Sequence, residues 1–426
     1  MKYFLAIVVL SVIIVIHELG HFIIAKASGV KVVEFSLGMG PRLLKFTKGG
    51  TMYSIKLFLL GGSCQMLGED EENSEEGSFN SKSVWKRIAI IAAGPIANFV
   101  LAFVGAVLLI GIAGYDPAIV HSVEKDSAAY EAGLLPGDKI VDVNGTNITF
   151  YGDYSIYLLF NEGKDMEMTV LRDGKKELIT FTPDYIEDDV YQIGISMDPE
   201  IPLIMSVVDG YPAYEAGLIS DDLILSIDGV PCTNSDEVSE LIQKAEGKEV
   251  TLVVERGGEE VTIKLSPKIV HRQYYDYGFY LSGERVKCNP IETIKYSFHQ
   301  VGYWIKTVFY SFKMLFSGQA GFNDLSGPVG IVTAIGDVVE ESKSDGALYV
   351  FLNITNWTIM ISANLGMMNL LPIPALDGGR LIFLFIEAVR KKPIPKEKEG
   401  LVHFVGIVLL LLLSAAVLVN DIRKLF

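Results

Sequence analysis

Residues 3–16 form an apolar run that continues into His17-Glu18-Leu19-Gly20-His21 before Phe22-Ile23-Ile24-Ala25 completes it. A run of this length is a candidate membrane-spanning helix. The competing reading is a signal peptide, because Lys2 precedes the run and Ala25-Lys26-Ala27 has the small-x-small form of a cleavage site. Signal-peptide cores do not carry two histidines and a glutamate. An ionisable group at mid-membrane costs about 2.5–3.5 kcal/mol on insertion scales, so three of them in one span demand a compensating role.

Three further stretches can cross a hydrocarbon core: about Ile88–Ala113, about Leu348–Leu371, and Leu401–Val419. Trp85-Lys86-Arg87 stands before the first of these as an interfacial anchor. Half the residues are apolar and 21% are charged. The mean hydropathy is +0.35. That mixture fits membrane helices joined to a soluble region. The soluble region is acidic: 33 acidic against 14 basic residues lie between Asp116 and Lys287, a net −19 against −16 for the whole chain. No basic face is left for nucleic acid. Three scattered cysteines imply no disulfide framework.

Lys and Arg concentrate after the first span (Lys26, Lys31, Arg42, Lys45, Lys48, Lys56) and between the last two (Arg390, Lys391, Lys392, Lys396, Lys398). Both loops are therefore expected on the cytoplasmic side, with both termini and the middle segment outside. The acidic run Glu69–Glu76 counts little in this rule. The expected fold is a multi-pass α-helical membrane protein of four spans with an inserted extracytoplasmic β-rich region.

The middle segment repeats itself. Glu131-Ala132-Gly133-Leu134 recurs as Glu215-Ala216-Gly217-Leu218, Asn144-Gly145 as Asp228-Gly229, and Arg172-Asp173-Gly174 as Arg256-Gly257-Gly258. Thr182-Pro183 recurs as Ser266-Pro267, and Ile193-Gly194-Ile195 as Tyr277-Gly278-Phe279. Every pair has the same offset, which implies two copies of one module. Asn-Gly and Asp-Gly turns beside alternating apolar residues make each copy β-rich. The pattern A-G-L-x-P-G-D-x-I-x-x-V-N-G in the first copy resembles the PDZ family. The second copy has Ser220-Asp221-Asp222 where the first has Pro136-Gly137-Asp138. A bare spacer or sieve is the competing reading of both copies.

His17 and His21 lie one turn apart on the same face of a helix, so two imidazoles can occupy two corners of a zinc tetrahedron. Glu18 then stands where a general base for water belongs. A catalytic zinc needs a third protein ligand and an open position. His121, His271, His299 and His403 have no motif around them. Asp377 lies in Asn369-Leu370-Leu371-Pro372-Ile373-Pro374-Ala375-Leu376-Asp377-Gly378-Gly379-Arg380, where two prolines break an apolar span. Broken helix at membrane depth is tolerated where it lines a polar cavity. Beside the histidines, Asp377 is the best third ligand. A cytoplasmic Asp-Gly-Gly turn is the competing reading.

Taken in order, H-E-x-x-H, the paired modules and N-x-x-P-x-P-x-L-D-G resemble the site-2 protease family of intramembrane zinc metalloproteases, in its bacterial regulated-proteolysis branch. Phe35-Ser36-Leu37-Gly38-Met39-Gly40-Pro41, Met66-Leu67-Gly68-Glu69, Ala93-Gly94-Pro95-x-x-Asn98 and Leu325-Ser326-Gly327-Pro328-Val329-Gly330-Ile331 extend the resemblance over nearly the whole chain. Met39 and Ser63-Cys64-Gln65 depart from the family pattern, in loops that handle substrate. The resemblance implies zinc held by His17, His21 and Asp377, with Glu18 activating water. It implies substrate contacts from Asn369, Pro372 and Pro374. Asn98 is placed near the site, among the substrate-binding residues or in helix packing. The implied substrates are single-pass membrane proteins already shortened on the outer side, such as anti-sigma factors or remnant signal peptides. The implied place is the bacterial inner membrane.

The expected segments are a first span over 1–26, a membrane-dipping β-hairpin loop over 27–84 and a second span over 85–114. Modules follow over 117–198 and 199–284, then an interfacial amphipathic segment over 290–335. A third span covers 346–386, a cytoplasmic loop 387–400 and a fourth span 401–421. Partial alternation in 30–60 suggests that the hairpin edge could pair with an unwound substrate strand. An ordinary cytoplasmic hairpin is the competing reading there. Two other functions fit some of the features. One is a non-catalytic membrane scaffold with a structural metal site. The other is a metal transporter, which lacks paired repeats among its spans.

Overall fold

The protein is described from a computed structural model covering residues 2–69, 75–198 and 201–424. Most of the acidic run 69–76 thus lies outside the described residues. Contacts divide the chain into two units, one of residues 1–117 with 283–426 and the other of residues 118–282.

In the first unit, α1 (Lys2–Ala27) carries the apolar run and both histidines. Strands β1 (Val32–Lys48) and β2 (Thr51–Met66) follow. Both are bent, so Ser36 pairs with Ser54 on one side and with Ser63 on the other. Residues 32–37 therefore lie between 51–55 and 62–66, while 42–48 pair with the outer side of 51–56. The stretch 62–66 is left as an edge. Glu34 is buried inside this hairpin, where Arg42 donates two hydrogen bonds to it at 2.9 and 2.7 Å and Ser54 a third at 2.6 Å. The Arg42 guanidinium holds its carboxyl down at about 2. The hairpin presents Met39, Leu43, Leu44, Phe46, Leu57 and Phe58 outward. Helix α2 (Val84–Ala113) then packs against α1. Contact is close because Gly20 has no side chain; a Cβ there would lie 2.3 Å from the Ala93 carbonyl oxygen.

The second unit begins with β3 (Ile119–Val123), α3 (Ala128–Glu131), β4 (Lys139–Val143), β5 (Thr146–Asn147), α4 (Tyr151–Asn161), β6 (Met166–Arg172) and β7 (Lys175–Phe181). β8 (Asp184–Gln192) leads to β9 (Ile195–Met197), β10 (Ile204–Val207), α5 (Pro212–Glu215), β11 (Leu223–Ile227), β12 (Val230–Pro231), α6 (Ser235–Lys244), β13 (Val250–Arg256) and β14 (Glu259–Leu265). β15 (Lys268–Asp276) and β16 (Phe279–Ser282) close the unit. Two copies of one module are present, each with its own apolar core. Their boundaries differ from the linear 117–198 and 199–284. β16, from the end of the second copy, pairs with β3, and its Phe279 joins the core of the first module. β9, from the end of the first copy, pairs with β10 of the second. The equivalent strands β8 and β15 pair with each other along their whole length. The second module is therefore inserted in the first.

The departure at Ser220-Asp221-Asp222 leaves the frame intact. Asp222 is fully buried and accepts from Arg256 Nε at 2.8 Å and from the Ile219 N–H at 3.0 Å. Asp138 accepts in the same way from Arg172 Nε and the Leu135 N–H, at 2.7 and 2.9 Å. Asp221 takes the left-handed conformation that Gly137 has in the first copy, with φ of 69° against 91°.

The chain returns to the first unit through α7 (Pro290–Ser317), α8 (Pro328–Glu341), α9 (Ala347–Leu370), α10 (Asp377–Arg390) and α11 (Lys396–Lys424). The expected interfacial segment 290–335 is thus two helices, and α7 descends beside α2. Thr293 faces Gly111, the Phe298 and Phe103 rings are 4.4 Å apart, and Val301 joins a core with Ala102, Ala106 and Ile359. The expected third span 346–386 is broken into α9 and α10 at residues 371–376, as the two prolines require. Helix α10 runs to Arg390, into the expected loop.

Three described helices are long and apolar enough to cross a membrane: Tyr3–Ala27, Val84–Ala113 and Glu397–Lys424. Helix α9 is less apolar because it carries Asn353, Asn356, Asn364 and Asn369. It is packed among α1, α2, α7, α8 and α10, so polar side chains can face protein. Its start meets the start of α1 through Ile354, Trp357 and Ala6. Its last residue, Leu370, packs in the cluster around Ala25 and Ile90.

Candidate metal centre

Three elements converge on one point inside the first unit. Helix α1 supplies His17 and His21 one turn apart, and the first residue of α10 supplies Asp377. Nε2 of His17 lies 3.1 Å from Oδ2 of Asp377, and Nε2 of His21 lies 3.4 Å from it. The two Nε2 atoms are 3.2 Å apart. A tetrahedral zinc with bonds of about 2.0–2.2 Å needs neighbouring ligand atoms roughly 3.3 Å apart. The triangle has that size. Oδ2 of Asp377 is buried with no hydrogen-bond donor, as expected of an oxygen facing a cation. The residues therefore fit zinc as a set of three ligands.

Helix α2 makes the space. Gly94 lies directly against both imidazoles, and a Cβ there would be 2.2 Å from Nε2 of His21 and 2.9 Å from Cε1 of His17. One turn before it, the Ile90 carbonyl oxygen lies 2.9 Å from Nδ1 of His21. A proton on that Nδ1 leaves Nε2 as a lone pair for the metal. One turn after Gly94, Asn98 is completely buried with its amide nitrogen 3.3 Å from Nδ1 of His17. Asn98 thus sits behind a histidine.

Asp377 is brought in by a tight return of the chain. The loop 371–376 folds back over Gly378 and Gly379, where a Cβ would lie 2.0 Å from the Leu371 oxygen or 2.5 Å from the Ile373 oxygen. Ala375 takes a left-handed φ of 75° and donates its N–H to Nδ1 of His403 at 3.0 Å. His403, which has no motif around it, thus supports the Asp377 loop from α11. Gly406, one turn on, lies against Pro374. Pro372 and Pro374 shape this loop. Asn369 is the penultimate residue of α9, just before it.

Glu18 faces the edge of the hairpin. A Cβ on Gly62 would lie 3.0 Å from Cγ of Glu18, and the Cys64 main-chain N–H donates to its carboxylate. A carboxylate one residue from His17 and beside an extended edge is within reach of water at the candidate metal position.

The sequence comparisons agree with this chemistry. The model of "Peptidase family M50" matches residues 5–413. The chain belongs to peptidase family M50. The chain is 33% identical to the "Regulator of sigma-E protease RseP" of Escherichia coli, over 98% of both chains. It is 30% identical to the "Zinc metalloprotease RasP" of Geobacillus kaustophilus, over 99% of this chain and 97% of that one. Among solved structures, the HtrA3 PDZ domain bound to a phage-derived ligand matches 20% of this chain and 93% of its own at 20% identity, with a TM-score of 0.19. The M50 chain is a zinc metalloendopeptidase of the site-2 protease family, embedded in a membrane.

Proposed function

We propose that this M50 protein hydrolyses peptide bonds within the transmembrane segment of single-pass proteins already shortened on the outer side, anti-sigma factors or remnant signal peptides among them. The observation that carries the reading is the triangle of His17, His21 and Asp377 with Glu18 beside it, against the hairpin edge 62–66. His17, His21 and Asp377 hold zinc. Zinc held there would supply a Lewis acid for the scissile carbonyl and make water at the site more acidic. Glu18 takes the proton from the attacking water onto its carboxylate and returns it to the leaving nitrogen.

A transmembrane helix hides its peptide bonds in its own hydrogen bonds, so a cleavable segment must first unwind. The edge 62–66 offers main-chain groups to such a strand. Asn369, Pro372 and Pro374 approach the substrate backbone from the Asp377 side. The exposed apolar side chains of the hairpin support its dipping into lipid.

Helix α9 supports a fourth span, because its two ends meet the two ends of α1. The Lys/Arg bias then puts both termini outside, the metal centre toward the cytoplasmic side of the bacterial inner membrane, and the paired modules outside. These modules, of PDZ type, limit access by bulky ectodomains.

The test is Glu18→Gln in detergent-purified protein, with bound zinc and cleavage of a truncated single-pass substrate as readouts. Both forms should hold about one zinc per chain, and only the native form should cut inside the apolar segment. If both hold zinc and neither cuts a panel of truncated spans, the scaffold reading with a structural metal site replaces this one.

A further inference from the structure

Ile90, Gly94 and Asn98 are spaced four residues apart, so they lie along one face of α2. That face meets the imidazoles of α1, where His17 and His21 have the same spacing. Ile90 offers a carbonyl oxygen to Nδ1 of His21 at 2.9 Å. Gly94 offers no side chain, and none would fit. Asn98 lies at Nδ1 of His17.

The two histidines must reach the same protonation pattern to bind one metal through Nε2. Each needs its proton on Nδ1 and an acceptor for it. His21 has that acceptor in the Ile90 oxygen. For His17, among the described residues, the side chain at Nδ1 is the Asn98 amide, whose oxygen can accept. With the amide nitrogen toward His17, Nδ1 would have to accept, the proton would move to Nε2, and that atom would lose its lone pair. Oδ1 of Asn98 would also stay buried without a partner. Turning the amide by half a rotation resolves both conflicts. Nδ1–H of His17 then donates to Oδ1, and a buried acceptor gains its donor. The helix backbone behind Asn98 is fixed independently, because Ser362 of α9 donates its hydroxyl to the Asn98 carbonyl oxygen at 2.8 Å.

We propose that Asn98 is a positioning residue that accepts the Nδ1 proton of His17, so that one face of α2 sets the tautomer of both metal-binding histidines. The inference rests on the reading of His17, His21 and Asp377 as zinc ligands. It gives the Gly94-Pro95-x-x-Asn98 motif a role in metal affinity that packing alone does not supply.

The experiment measures zinc affinity of the full chain in detergent by competition with a chromophoric chelator, and the melting temperature of each metal-free variant. Asn98→Leu and Asn98→Ser both remove an acceptor within reach, with opposite changes in volume. Asn98→Asp keeps an acceptor and cannot donate. The Leu and Ser variants should bind zinc about 10–100-fold more weakly, and the Asp variant should stay within about threefold of native. Wild-type affinity in the Leu variant overturns the proposal. So does a Leu variant that differs from Ser, which would make volume the cause, or an Asp variant as weak as either. The metal-free melting temperature separates a folding defect from a loss of affinity, and the Leu–Ser comparison decides the matter if one of the two melts early. His17→Ala is the control for the underlying reading. If it keeps native affinity, the ligand assignment itself falls, and this inference falls with it.

Discussion

The carboxylate of Asp421, near the end of α11, closes over Gly327 at the first turn of α8. Its oxygens accept the N–H groups of Gly327 and Gly330 at 2.9 Å each. Side chains would not fit there, since a Cβ on Gly327 would lie 2.8 Å from Oδ2 of Asp421. Helix starts leave unpaired N–H groups, and this one is served by a residue from another helix. The motif Leu325-Ser326-Gly327-Pro328-Val329-Gly330 is thereby a receptor for a carboxylate within the same chain.

Asp421→Ala should therefore destabilise the protein by about 1–3 kcal/mol, because one buried and one part-buried donor lose their acceptor. A lowered melting temperature in detergent is the measurement. Asp421→Asn keeps one oxygen and should lose less. Equal melting of the Ala variant and the native protein would mean that α8 does not depend on this cap.

Gly94→Ala makes a sharper prediction. Alanine is the better helix former by about 1 kcal/mol, so propensity alone would favour the variant. The added methyl would nevertheless stand 2.2 Å from Nε2 of His21. Zinc affinity should fall at least 10–100-fold while far-ultraviolet circular dichroism stays native. Native zinc content after dialysis against a zinc buffer would show that the imidazoles have room to move.

His271 provides a pH dependence in the acidic unit. Its Nδ1 lies 2.8 Å from Asp189 and its Nε2 3.0 Å from Glu187, both on the facing strand β8. The hydrogen bond to Asp189, with Glu187 assisting, raises its pKa above the ordinary value. A raised pKa means that the folded state binds the proton more tightly. The stabilisation is complete below about pH 6.5 and disappears as pH rises through the higher folded value. Amide exchange in β8 and β15, corrected for intrinsic rates, should therefore be slower at pH 5.5 than at pH 9, by a modest factor because the cluster is exposed. His271→Asn should flatten that difference. A native ribbon with no pH dependence would remove the role of His271.

The cluster of His17, His21 and Asp377 was legible in the sequence because it depends on local spacing. His17 and His21 face one way in any helix, and Pro372 and Pro374 break any helix, so Asp377 could be singled out. The repeat was legible for the same reason. What each repeated strand pairs with was not, because an offset between copies is the same whether β16 completes its own module or the other. Asn98 was legible as a polar residue near the site. Its position behind His17 depends on how α1 and α2 face each other, which neither segment encodes alone. His403 and Asp421 act on elements distant in the chain, and nothing near them announces it. Helix α9 illustrates the opposite limit: its asparagines weaken the apolar signal of a helix that is enclosed by other helices.

The insertion of one module in the other fixes an order of events for a chain made from its N-terminus. The inner module has its last sheet strand, β14, when Leu265 emerges. The outer module has its first strand, β3, far earlier, yet it stays open along that strand until residues 279–282 arrive. Synthesis must then hold an unfinished sheet while a complete module forms inside it. The finished pair is closed by the last strand made, so neither module can be cut away at a single point in the chain without leaving the other short of a strand or of its partner ribbon.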